Sequence, residues 1–215
     1  VQALETVDRL PDAILQIRLN FTLTPELVGL PWEYLRSPGQ GRYLAMMDQV
    51  SLIRHLDKPA TRATAGIQPP LQVLVVIASP QDQYPLDAER EWARIRSAFA
   101  TLEAQDVARV VRLPRNTLAE LGKYIARHPV HVLHFIGHGH FDVETQRGYL
   151  IFEDETGGSA PVSGDELLQQ IPTRNDLLLV FLNSCEGATG SGEESFAGVA
   201  QTLVLGGVPA AVAMQ

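Results

Sequence analysis

At 215 residues the chain has room for one large domain, or one domain with a small extra lobe. Hydrophobic residues make up 45% and charged residues 20%, ordinary globular values that permit a sizeable buried core. A net charge of −8 with no basic run argues against a nucleic-acid footprint, no apolar run approaches membrane-spanning length, and the single cysteine cannot form an intrachain disulfide, which suits a reducing cytosol.

In chain order, residues 1–57 are expected to form an accessory α+β layer. Ile14–Leu23 alternates like a strand, Pro25–Arg36 reads as a short helix despite Pro31, and Val50–His55 reads as a second strand. Residues 58–70, with Pro59, Pro69 and Pro70 and no apolar period, read as a linker or long loop. The pattern then changes over 71–215, the expected core. Leu71–Ala78 is a strand apolar on both faces, and Leu86–Leu102 a helix with Trp92, Ile95 and Phe99 at helical spacing. Val107–Leu113 is a strand, Leu118–His128 a helix, and His131–Phe141 a strand that carries four histidines. A hairpin near Tyr149–Phe152, a short helix Asp165–Gln170, a strand Leu177–Cys185 and a helix Phe196–Leu205 follow. Ala210–Gln215 starts another strand, so the chain reads as a fragment of a larger protein whose sheet continues beyond it. Alternating helices and near-continuous apolar strands imply an α/β doubly wound fold, a parallel sheet covered on both faces. Sites in such sheets lie at the carboxyl ends of the strands.

Two segments at such ends carry chemistry. HVLHFIGHGHF sets His138 between Gly137 and Gly139, and LLLVFLNSC ends in the lone Cys185, 47 residues on (185 − 138). A cysteine is nucleophilic as a thiolate, and an imidazole can take its proton and later protonate a leaving amine. Attack on a carbonyl also needs oxyanion donors, each contributing about 3 kcal/mol, and glycine-rich turns such as those at Gly139 and Gly187 expose backbone N–H groups. His131 and His134 lie inside the apolar run and read as satisfied core histidines. Metal binding is the rival reading of the four histidines, but no paired CxxC or HExxH spacing supports it. No GxSxG elbow and no P-loop lysine are present, and Ser184 reads as a cap of the following turn. Glu186–Glu194, glycine-rich and acidic, reads as a surface loop, or as one that orders when substrate or an activator binds.

HFIGHGH and FLNSCEGA, with LPWEYLR (Leu30–Arg36) upstream and GGVPAAVAM at the end, resemble the CHAT domain over about Leu30–Gln215. That family is a bacterial caspase- and separase-like branch of the cysteine peptidases, often found beside tetratricopeptide repeats. The resemblance implies a caspase-like α/β/α sandwich. It also implies His138 as general acid/base, Cys185 as nucleophile, and the amides of Gly139 and Cys185 as the oxyanion hole. Related enzymes that cut after basic residues often carry an acidic residue two before the cysteine; here that position is Asn183, and the caspase QACRG sequence is absent. Asn183 is therefore a candidate substrate-binding residue, as is Asp82 after the first core strand, although a plain turn carboxylate competes with that role. The expectation is a cysteine endopeptidase acting on a protein or peptide, without cofactor or metal, and activated by a partner or adjoining domain such as a tetratricopeptide-repeat domain. Neither nucleic acid nor membrane is an expected partner. The alternative is a caspase-like scaffold for interaction or signalling with an idle dyad.

Overall fold

The computed structural model describes residues 13–21, 23–24, 27, 30–37, 41–55, 68–172, 176–184 and 192–213, without the side chains of 184 and 192–195. It divides into two compact units, Val1–Pro59 and Ala60–Gln215. In the first, β1 (Leu15–Asn20) and β2 (Val50–His55) pair in parallel from Leu15↔Val50 to Asn20↔His55. Burial alternates along β1, with Leu15, Ile17 and Leu19 turned inward, as its sequence period requires. Leu44, Met47 and Val50 form a small core with Ile17 and Leu35 against it. The helix expected over Pro25–Arg36 lies partly outside the described residues. Its described part holds a three-residue 3-10 turn at Trp32–Tyr34. Pro31, which lacks an N–H and disfavours helical backbone in the residue before it, stands at the start of that turn.

The second unit is built on a seven-stranded sheet. Its strands are β3 (Leu71–Ile77), β4 (Ala108–Arg112), β5 (Val132–Asp142), β6 (Arg147–Glu153), β7 (Ser159–Ser163), β8 (Leu179–Ser184) and β9 (Ala210–Ala213). The helices are α1 (Ala88–Ala104), α2 (Leu118–Arg127), α3 (Gly164–Gln170) and α4 (Gly192–Leu205). Strands run in parallel in the order β4-β3-β5-β8-β9, and β6 and β7 add antiparallel pairings that continue from β5. The sheet is therefore mixed, and the α/β sandwich expectation holds with that addition. The hairpin anticipated near Tyr149–Phe152 is the β6–β7 pair.

Alternate residues of each central strand feed two cores. Leu74, Val76, Leu133, Phe135, Val180 and Leu182 face a large cluster completed by Leu121 and Ile125 of α2, Leu167 of α3 and Phe196, Val199 and Leu203 of α4. Val73, Val75, Ile77, Val110 and Ile136 face α1, which presents Trp92, Ile95 and Phe99 to them. Side-chain caps set where three helices begin. Asp87 accepts from the Arg90 N–H, so α1 starts two residues later than its apolar period suggests. Thr117 accepts from the Glu120 N–H, and Ser163 with Glu166 forms a reciprocal capping box.

Candidate active site

The candidate site lies where β5 changes partners. Over Val132–Gly137 this strand lies between β3 and β8; from His138 to Asp142 it pairs instead with β6, antiparallel. His138 therefore stands not at the end of a strand but inside an eleven-residue one, at the point where it leaves the parallel sheet. Gly137 permits the crossing. A Cβ there would sit 2.7 Å from Phe135 Cζ and 3.3 Å from the Ala78 carbonyl oxygen.

His138 is 5% exposed, and its Nε2 lies 2.8 Å from the backbone carbonyl of Tyr84, in the loop between β3 and α1. A carbonyl oxygen only accepts, so this bond requires the proton on Nε2 and leaves Nδ1 as the basic nitrogen of the neutral ring. The ring is thereby fixed in orientation and tautomer by a main-chain atom. Gly139 follows, opposite Leu150 in the β5–β6 ladder.

On the neighbouring strand, β8 runs parallel to β5 with Ile136↔Asn183 and Gly137↔Ser184 as the last pairs. Asn183 thus shares the α1 side of the sheet with Ile136 and is half-buried. Cys185 lies outside the described residues, as does most of the glycine-rich segment Glu186–Glu194, of which Gly192–Glu194 open α4. Asp82 sits on the exposed β3–α1 loop, where its carboxylate accepts the Ser159 hydroxyl at 2.7 Å. That bond holds its pKa below the usual carboxylate value.

The remaining histidines of the run are separately engaged. His131 Nδ1 accepts the Gln72 N–H at 2.8 Å, a satisfied histidine as expected. His134 meets Phe181 edge-on, ring centroids 4.9 Å apart, but its buried Nε2 has no hydrogen-bond partner, so the expectation of a satisfied ring fails there. Burial pushes its pKa down to about 4. His140 is exposed and lies near Tyr149, with ring centroids 6.4 Å apart. Among the described residues no group of three or more His, Cys, Asp or Glu side chains is disposed to hold a metal ion, and no helix is long and apolar enough to cross a membrane.

Sequence reasoning missed Tyr84, because the contributing atom is a carbonyl and the tyrosine side chain is 67% exposed. The available signal was Pro85, which biases the preceding residue to extended backbone. A search of curated proteins returned no match. The sequence profile described as the CHAT domain matches residues 3–215, almost the whole chain. With that match, and with an α/β sandwich whose central strand carries the GHGH segment, the chain belongs to the CHAT domain family, a caspase-like and peptidase-related group.

Proposed function

We propose that this protein is a cysteine endopeptidase that cleaves a protein substrate through Cys185 and His138. The observation that carries the reading is the final register pair of β5 and β8, Gly137↔Ser184. The next residue in each chain direction is His138 and Cys185, and neighbouring strands lie about 4.8 Å apart. The Tyr84 bond adds a second support, since it leaves Nδ1 basic, as a proton acceptor for a thiol must be.

In the proposed reaction, Nδ1 of His138 takes the thiol proton and the Cys185 sulfur attacks the scissile carbonyl carbon. The developing oxyanion is held by the amides of Gly139 and Cys185. As the carbon–nitrogen bond breaks, the imidazolium returns its proton to the leaving amine, and a thioester to Cys185 remains. Water, deprotonated by the same histidine, then attacks the thioester, releasing the acid product and restoring the thiol. The Nε2–H bond to Tyr84 persists throughout and holds the ring in one orientation while Nδ1 takes up and releases the proton.

Asn183 and Asp82 are proposed to contact the substrate residue before the scissile bond. Asp82 already accepts from Ser159, so a basic substrate side chain would share that carboxylate. Control by a partner or an adjoining repeat domain, in a cytosolic setting, belongs to the same proposal.

A thiol-reactive peptide probe tests the reading directly. Labelling of Cys185 at neutral pH is expected, and it is expected to vanish in His138→Ala. A folded protein that takes no label in any activator state would overturn the assignment.

A further inference from the structure

The loop that presents the Tyr84 carbonyl is fastened by hydrogen bonds at its start, middle and end. At its start, the Ser79 N–H donates to Glu153 Oε1 at 2.9 Å. The same oxygen accepts from Asn116 Nδ2 at 3.2 Å, and Asn116, 8% exposed, accepts the Ile77 N–H at 3.3 Å through Oδ1. Glu153 closes the circuit by donating its own N–H to the Asn116 carbonyl at 2.9 Å. At its end, Ser79 Oγ accepts the Leu86 N–H at 3.1 Å, which draws the two ends of the loop together.

The middle of the loop is held by the β6–β7 turn. The Gln81 N–H donates to the Gly157 carbonyl at 2.9 Å. Gly157 takes left-handed backbone (φ +87°), and a Cβ there would lie 2.8 Å from the Gln81 side-chain nitrogen. Ser159 Oγ donates to Asp82 at 2.7 Å and accepts from Gln83 Nε2 at 3.0 Å. Pro80 and Pro85 further restrict the intervening backbone.

We propose that Ser79, Glu153 and Ser159 are positioning residues: through this loop they hold the Tyr84 carbonyl on His138 Nε2 and thereby fix the imidazole. None of them touches the reacting atoms. A strand-end carboxylate and two hydroxyls each bond to this one loop, and the loop in turn bonds a main-chain carbonyl to a buried ring. The consequence for catalysis rests on the peptidase reading; the consequence for the ring does not.

The test is NMR of the full chain labelled with ¹⁵N-histidine, reading solvent exchange of the His138 Nε2 proton. The wild type is expected to show a slowly exchanging Nε2 proton. Ser79→Ala and Glu153→Ala are expected to accelerate its exchange by about tenfold or more, the cost of weakening one hydrogen bond. Ser79→Thr and Glu153→Gln retain an acceptor oxygen and are expected to restore slow exchange. A purely structural role would alter global unfolding without this split between the alanine and conservative variants. Where Glu153→Ala is too unstable to measure, Ser79→Ala carries the same test.

Wild-type exchange in folded alanine variants would overturn the proposal. Labelling of Cys185 by the peptide probe, measured in parallel, is expected to slow about tenfold in the alanine variants. If exchange accelerates while no variant, nor the wild type, takes the label, the positioning role stands and the peptidase reading falls.

Discussion

Two histidines four residues apart on one strand face the same side of the sheet and meet opposite circumstances. His138 donates its Nε2 proton to a carbonyl, whereas His134 is half-buried against Phe181 with its buried Nε2 unpaired. Folding lowers the His134 pKa from 6.5 to about 4, through loss of solvation of the charged ring. Between those values the unfolded chain binds more protons than the folded one, so stability rises with pH in that window. The stability present above the unfolded value is lost as pH falls through 6.5 towards 4, by at most about 1.4 kcal/mol per pH unit. His134→Leu removes both the unpaired nitrogen and the linkage. Urea denaturation at pH 7.5 and 5.0 is expected to show the wild type losing about 2 kcal/mol more than the variant on acidification. Equal losses would contradict this account. The sequence marked His134 as lying in an apolar run and His138 as standing at its end between glycines, but a one-dimensional pattern does not say whether a ring nitrogen finds an acceptor.

At the scale of elements, β5 decides where the site lies, by belonging to a parallel set in its first half and a hairpin in its second. Gly137 sits at the changeover beneath the Phe135 ring, itself packed on Phe152 and Phe196 with centroids 5.0 and 6.4 Å away. Gly137→Ala inserts a methyl where that ring must yield, and the buried stack leaves it little room. Denaturant unfolding is expected to register a loss of about 1–3 kcal/mol, the usual cost of overpacking a core. A change below about 0.5 kcal/mol, within the range of ordinary surface substitutions, would mean that the ring relaxes freely. Strands and helices of this unit were largely legible, since the strands over Leu71–Ile77 and Leu179–Ser184 announce themselves as apolar runs and α1 by its helical spacing of Trp92, Ile95 and Phe99. The antiparallel branch at His138 was not: Gly139 reads as part of a turn in the sequence, and the strand instead continues through it to pair with β6.

For the whole molecule, the separate cores matter most. The Leu44, Met47 and Val50 cluster belongs to Val1–Pro59, and both large clusters belong to Ala60–Gln215. Residues 60–215 alone are therefore expected to give a native-like circular dichroism spectrum and one cooperative unfolding transition. Loss of cooperativity in that shorter chain would show that its sheet depends on the first unit. The α/β class could be read from alternating elements, and the histidine and cysteine segments from their place after apolar runs. The strut through Asn116, Glu153 and Ser79 could not, because its members are 37 residues apart between Asn116 and Glu153 and 74 apart between Ser79 and Glu153, and each looks like an ordinary loop or strand-end residue in isolation.

The histidine's acceptor has a consequence for genetics. Because the Tyr84 oxygen belongs to the main chain, every substitution at codon 84 leaves an oxygen in place, and a saturation screen at that codon would score it as dispensable. The functional load would appear instead as scattered sensitivity at 79, 153 and 159, three codons far from 138 in the sequence or on other elements. Replacing the Tyr84 carbonyl oxygen by sulfur, a thioamide that is a weaker acceptor and leaves every side chain in place, would reveal the atom that a mutational map overlooks.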